Sequence, residues 1–506
     1  MILPSLIKFP MVKKRILLLS SGTFAVFRGI LTGMSILGLL AVISGLVDLT
    51  GTGESTSKLL IFGTLITLFS SYLSVYPAEI KLSRSESLLG VSCAFLSCIF
   101  ASSFLYMLTT GSGFSDSLFE STAAFSTTSL SILDIDSFGN GLLFFRTFSQ
   151  LIGSFSAILV AVMFLPISEY REQPSSSELK IDRLFRQGRL EALKSIGLVY
   201  LVSIAAMTLI LSFGKLNFFN SLLMSVSAIS TGGFTANSAL LGDDYVQWVL
   251  VMGMIVAGVS FLIVWRMVKG RFTSALHSSE FQTYATLIIV SSILFYLWTN
   301  AEPESSIRQS LLFVSSAIST TGFHFSPFGN WSVAVSFLLL LLITIGPMSL
   351  SSGGGFQIIR LRILLSVSIR ELVRQLHPKA VVKIRVGKEI FDDKNVRQVV
   401  VFQFLFLSVA FSTSLVLAIL GMSIYDAFVS SLNALTTAGP IRGIDGSIID
   451  TTKLSSGERL TLLPAMISGR LYLLPIFIAL GYFLSESRNL MRPRRRFLRW
   501  KNSFKS

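Results

Sequence analysis

Four stretches of hydroxyl-bearing and small residues interrupt a chain that is 52% hydrophobic. They read "AAFSTTSL" (123 to 130), "SAISTGGF" (227 to 234), "SAISTTGF" (316 to 323) and "NALTTAGP" (433 to 440). The shared pattern is a small residue, Ala, a large apolar residue, Ser or Thr, Thr, a small residue, Gly or Ser, and then a bulkier residue. Ser, Thr and Gly let several carbonyls of a short loop turn the same way, with Gly accepting positive φ at no steric cost. Four such loops around one axis make a ring of carbonyl oxygens, which is how a filter replaces the hydration shell of a potassium-sized cation.

Each octet follows a partly apolar segment, near 114 to 126, 218 to 229, 307 to 318 and 424 to 435. At about a dozen residues these are too short to cross a bilayer and read as re-entrant half-helices. Entering from outside, they aim the negative ends of their dipoles at the ring and favour a cation. Recurrence at intervals of roughly a hundred residues marks a duplicated unit of helix, half-helix, polar loop and helix. Two full spans per unit keep consecutive copies in one orientation, as parallel repeats about the membrane normal. One Ser-Thr-Gly loop would be ordinary turn chemistry. Four in register, each behind a half-length apolar segment, are not. Irregular backbone survives at membrane depth only where it is buried in protein or lines a water-filled cavity.

Only 14% of the 506 residues are charged, and the mean hydropathy is +0.71, far above a soluble domain. Apolar runs of bridging length lie at 21–48, 58–77, 87–109, 140–165, 192–213, 246–268, 281–298, 332–369, 398–420 and 461–485. Ten spans put both termini on one side. Most of the 42 Lys and Arg residues fall in the loop set that contains the termini, which makes that side the cytoplasm. The net charge of +15 is thus a topology signal rather than a nucleic-acid surface. The tail "RNLMRPRRRFLRWKNSFKS" reads as an anchor near anionic lipid or a dock for a cytosolic partner. The basic start "KFPMVKKRILLLSSG" reads as a retained first helix, since Arg28 interrupts the run and no small-residue cleavage site follows. Cys93 and Cys98, both inside the third span, read as small core residues.

The eighth run, containing "TIGPMSLSSGGGFQIIRLRILL", would make a helix of about 55 Å, well beyond the hydrocarbon core. Gly346, Pro347, Ser349, Ser351, Ser352 and Gly353 to Gly355 instead predict a broken helix with an intramembrane loop. Arg470 lies in the last span, where a charge facing lipid is expensive, so it is expected to face the pore.

In "FSDSLFESTAAFSTTSLSILD", "FFRTFSQLIGSFSAILVAVMFLP", "SAISTGGFTANSALL", "SAISTTGFHFSPFGNW" and "MISGRLYLLPIFIAL" the chain resembles the Trk/Ktr/HKT superfamily of cation transporters, and the resemblance runs over nearly its whole length. The extra N-terminal hairpin resembles the bacterial Trk potassium-uptake membrane subunits. The resemblance implies potassium uptake across the bacterial inner membrane, a homodimer, a cytosolic ring of RCK nucleotide-binding subunits, and no bound cofactor beyond the transported cation. By the matched motif the filter comprises Ser126, Thr127, Thr128 and Ser129; Ser230, Thr231, Gly232 and Gly233; Ser319, Thr320, Thr321 and Gly322; and Thr436, Thr437, Ala438 and Gly439. Potassium-transporting members carry Gly where Ser129 stands, and Ser there accompanies sodium selectivity in the plant branch. A Cβ at positive φ costs roughly 1 kcal/mol or more, so a distorted or narrowed ring is one expectation. Serine adopting the same backbone at modest cost is the other.

The resemblance also makes Gly353, Gly354 and Gly355 hinge residues of a gate below the filter, and Arg470 a pore-facing barrier to cations. The family has Lys at Gln357, and an acidic residue near Arg470 appears here as Tyr472, so that local ion pair is missing. Glu120 matches the family and is expected to orient the first loop or add negative potential at the entrance. Arg146 begins the next span as an interfacial anchor or a functional group.

The expected fold is all-α: an N-terminal transmembrane hairpin (1–80), pore repeats over 81–170 and 171–275, a third with a broken second helix over 276–375, and a fourth with the basic tail over 376–506. Regulatory subunits are expected to dock on 370–397 and the tail. The chain has no G-x-x-x-x-G-K-[ST] loop for an ATP-driven pump, and His277, His324 and His377 are not at metal-ligand spacing. Ser352 is a candidate nucleophile, but no histidine or acid in a span could serve it. Three readings stand: a potassium-conducting subunit, a sodium-permeating relative distinguished by Ser129, and an intramembrane enzyme, which leaves the fourfold repeat unexplained.

Overall fold

The computed structural model describes residues 21–51, 55–74, 82–135, 138–164, 189–235, 241–270, 277–299, 306–323, 332–379, 382–387, 389–439, 449–473 and 475–482. The basic N-terminal start, His324 and the basic tail lie outside these residues. Helices α1 (Ser21–Asp48) and α2 (Thr56–Ser74) form a hairpin against α3 (Arg84–Thr110). The buried Asp48 carboxylate fixes its turn, accepting from Ser55 N (3.1 Å) and Thr56 Oγ1 (3.0 Å). It also accepts from Gly141 N at 2.8 Å, which ties the hairpin to α5 (Asn140–Phe164).

Four short helices follow one plan: α4 (Phe114–Ser126), α7 (Phe218–Ile229), α11 (Ile307–Ile318) and α15 (Ile424–Thr436). In three of them a polar side chain before the first turn takes up one orphan N–H. Asn217, Ser306 and Ser423 accept from the backbone of Asn220, Gln309 and Asp426. Each short helix packs on the long helix before it: α4 on α3, α7 on α6 (Arg189–Ser212), α11 on α10 (Ser279–Thr299), and α15 on α14 (Asp393–Ile419). The helix after each loop then packs against the next short helix. Thus α5 touches α7, α8 (Asp244–Gly258) touches α11, α12 (Val333–Ile345) touches α15, and α16 (Ser456–Arg470) touches α4. These contacts close a ring.

Seven of the described helices are long and apolar enough to cross a bilayer, or nine counting two bent pairs as one span each. The bends differ from the sequence expectation. The run 246–268 is not one rod: α8 turns by 110° into α9 (Phe261–Val268). The last span turns by 111° between α16 and the helix 475–482. Protein, not lipid, satisfies the broken backbone, as membrane depth requires. Phe261 N donates to Leu350 O (2.9 Å), Met348 N to Gly258 O (3.1 Å), and Leu473 N to Ser468 O (2.8 Å).

The eighth run is divided into α12, only about 20 Å long, and α13 (Ile358–Leu376), with residues 346–357 as a loop between them. Beyond α13 a two-stranded hairpin, Ile384–Val386 with Glu389–Phe391, packs Ile384 and Val386 onto Ile363 and Val396. Outward faces such as those of Leu68 on α2 and Phe404 on α14 remain apolar and exposed, which suits a lipid-facing surface. Cys93 and Cys98 are free and buried.

Candidate functional site

The four short helices end alike. Each terminates through a threonine in the left-handed region, at the cap of α4 and α15 and one residue past it in α7 and α11: Thr127 (φ 56°), Thr231 (55°), Thr320 (56°) and Thr437 (52°). The next N–H reaches back to the first residue or two of the octet, in Thr128 to Ala123 O (2.9 Å), Gly232 to Ser227 O (2.8 Å), Thr321 to Ser316 O (3.0 Å) and Ala438 to Asn433 O (3.1 Å). The threonine N–H bonds one residue further on, for example Thr127 to Ala124 O at 3.2 Å. This pair of bonds is the Schellman termination, normally completed by glycine at the left-handed position. A β-branched residue there is a genuine outlier. The sequence expectation that glycine supplies the positive φ holds for Gly233 (68°) and Gly322 (77°), but the first left-handed residue of every loop is threonine.

All sixteen residues expected from sequence to form the filter are buried, and their loops touch one another. A Cβ added at Gly322 would strike Gly439, and one at Gly233 would strike Thr321 O and Ser129. Ser129 is not at positive φ, so the backbone penalty expected for a Cβ there does not arise. Its hydroxyl donates to Gly322 O (2.9 Å) and its N–H to Ala438 O (3.5 Å). Ser129 therefore crosses the ring as a side-chain strut. That role depends on its hydroxyl rather than on its φ.

Supports from neighbouring elements hold the loops in place. Gln150 of α5 donates from Nε2 to Gly232 O (2.8 Å), and a Cβ at Gly232 would collide with that amide. Gly153 of α5 and Gly469 of α16 bring their helices against the carbonyls of Phe125 and Leu435, where any side chain would clash. Glu120 and Arg146 form a fully buried pair, Nε to Oε1 at 2.7 Å. The carboxylate also accepts from Ser131 Oγ and Ile132 N at 3.1 Å, just past the first loop. Arg146 stacks its guanidinium 3.4 Å above Phe234, just past the second. Arg146 is thus a core residue joining two loops and not an interfacial anchor. Sequence reasoning missed Gln150 and Phe234; an amide inside an apolar span was the available signal for the first.

Below the ring lies the loop 346–357. Ser352 Oγ donates to Ile229 O (2.9 Å), Thr231 Oγ1 to Ser352 O (3.0 Å), and Gly354 N to Thr320 Oγ1 (2.9 Å). A Cβ at Gly353 would meet Ser319 O and Thr320 Oγ1, and one at Gly354 would meet Thr436 O and Thr437 Oγ1. The glycines thus let this loop sit flush against the ends of the second, third and fourth of these loops. Arg470 is 2% exposed. It donates to Ser352 O (2.7 Å) in the loop and to Gly153 O (3.3 Å) on α5, so backbone carbonyls hold its buried guanidinium. The Thr127 and Thr437 hydroxyls are buried without a hydrogen-bond partner, unlike those of Thr231 and Thr320. The Ser352 hydroxyl meets the carbonyls of Ile229 and Ala257 and the Tyr200 hydroxyl, none of them a general base for nucleophilic chemistry. Among the described residues no group of three or more His, Cys, Asp or Glu could hold a metal ion.

The fold is that of a multi-pass helical membrane protein in which four loops meet in a buried ring and the loop 346–357 packs against it. Residues 300–489 match the TrkH family model, described as cation transport protein. The Trk system potassium uptake protein TrkH of Escherichia coli K12 is 26% identical over 382 residues, 72% of this chain and 78% of its own. An uncharacterized cation transporter of Methanocaldococcus jannaschii is 24% identical over 481 residues, 91% of this chain and 99% of its own. The crystal structure of the potassium transporter TrkH from Vibrio parahaemolyticus shares the fold, with a TM-score of 0.79 at 22% identity over 89% of this chain and 98% of that one. Over these stretches the chain is similar to cation transport proteins of the Trk type, and it shares their fold.

Proposed function

We propose that this protein takes up potassium across the bacterial inner membrane through a filter of four pseudo-equivalent repeats, gated by the loop 346–357. The observation that carries this reading is the common geometry of the four loops: one Schellman turn, one left-handed threonine and mutual contact in each. Backbone held this way at membrane depth presents carbonyl oxygens to a dehydrated cation. The relatives named for potassium uptake point to the same cargo. The domain division follows the ring, with repeats at 81–170, 171–275, 276–375 and 376–506 behind a hairpin at 1–80. Gly353, Gly354 and Gly355 act as the gate, and Arg470 holds it shut through Ser352.

Both termini lie in the cytoplasm, two copies associate, and a cytosolic RCK subunit docks on 370–397 and the basic tail. These parts rest on the charge distribution and the family resemblance. Sodium permeation is the second reading, favoured by the Ser129 strut, which takes the Gly322 carbonyl as an acceptor. Potassium and sodium flux into proteoliposomes, beside Ser129→Gly, tests both. Potassium-selective flux in the unmodified protein supports uptake. Sodium flux that turns to potassium in the variant supports the second reading.

A further inference from the structure

We propose that Gln357 and Tyr472 are positioning residues that latch the gate loop to the bend of the last span; this rests on the conduction reading above. Gln357, at the exit of the loop, is 3% exposed and donates from Nε2 to the Tyr472 hydroxyl at 3.0 Å. Tyr472 stands two residues after Arg470, which holds Ser352 O at 2.7 Å. Two tethers, to Ser352 and to Gln357, therefore run from one bend and bracket Gly353 to Gly355 between them.

Backbone strain identifies the same two places. Among the described residues, the non-glycine residues at positive φ are the four filter threonines and four others: Leu350 (56°) and Gln357 (68°) in the gate loop, and Tyr472 (57°) and Leu473 (59°) in the bend. Such conformations persist only where the surroundings over-determine them. The loop and the bend are therefore one strained element with a shared set of restraints, the kind of unit that has two discrete arrangements.

The latch also has a handle. Helix α13 starts at Ile358, directly after Gln357, and its Arg360 places its guanidinium 5.4 Å from the centroid of the Tyr472 ring and 3.9 Å from that of Phe402 on α14. A pull on α13 from the segment 370–397 would draw Gln357 off Tyr472 and free the glycines. Both partners are neutral, so the latch acts by hydrogen-bond geometry and not by charge.

The test uses the full chain in proteoliposomes, with cation flux and hydrogen exchange of residues 346–357 read in parallel. Tyr472→Phe removes only the hydroxyl, and Gln357→Leu removes the donor. Each is expected to raise basal flux about fivefold, the population shift one neutral hydrogen bond supports, and to speed exchange in the loop. The double variant is expected to go no further than either single, and Gln357→Lys combined with Tyr472→Glu to bring flux and exchange back down. A folding defect would lower flux instead. Unchanged exchange in Tyr472→Phe, or single effects that add in the double variant, overturns the latch. Faster exchange without cation flux in any variant keeps the latch and overturns the conduction reading.

Discussion

Thr127, Thr231, Thr320 and Thr437 carry a backbone conformation that a β-branched residue adopts only under constraint. The cost is about 1 kcal/mol or more at each, and strain kept at equivalent places points to use. Thr127→Gly is expected to leave thermal stability in detergent unchanged or raise it by about 1 kcal/mol, because the Thr127 hydroxyl has no partner to lose. Cation flux is expected to fall. Flux equal to the unmodified protein's would make the threonine a folding choice only. Ser129→Gly removes the strut to Gly322 O and is expected to raise flux about fivefold, the weight of one hydrogen bond, when initial uptake rates are compared at equal protein density.

Helix α5 supports two loops at once through Gln150, Arg146 and Gly153. The Glu120 carboxylate of its buried ion pair accepts from Arg146, Ser131 and Ile132, so removing it is more damaging than breaking a surface pair would be. Glu120→Ala leaves Arg146 buried and unpaired, with an expected loss of about 3 to 5 kcal/mol, measurable as a lowered unfolding midpoint. A loss below about 1 kcal/mol would mean water replaces the carboxylate. The loop 346–357 is the second element with two tasks, since it finishes α12 and seals the ring. Gly354→Ala puts a methyl against Thr436 O and Thr437 Oγ1 and is expected to displace the loop, seen as increased leak of cation from loaded vesicles.

Closure of the ring depends on the last repeat meeting the first. Arg459 of α16 donates to Asp116 of α4 at 2.6 Å, and Thr451 Oγ1 donates to Ser131 O at 2.5 Å. The ion pair is partly exposed, so screening limits it, and Arg459→Ala is expected to cost no more than about 1 kcal/mol in unfolding experiments. A much larger loss would show that the seam between first and last repeats governs the stability of the whole ring. Packing of α12 and α16 into the same ring places the bend of the last span against the loop 346–357.

Much of this was legible along the chain because it depends on local period and composition. The octets, the half-length apolar segments before them and the overlong eighth run are each visible within a few dozen residues, where helix length and bilayer thickness decide the reading. The bends were not legible: 246–268 and 461–485 are each apolar enough overall to read as one span, and mean hydropathy does not distinguish a rod from two helices at a right angle. Ser129 was flagged for its backbone, yet its effect comes through a hydroxyl that reaches Gly322, 193 residues away. Gln357 and Tyr472 each stood out as departures from the family, and only folding brings them together across 115 residues. Contacts of this kind depend on where helices cross, and crossings are fixed by packing of the whole ring rather than by any segment's own preference.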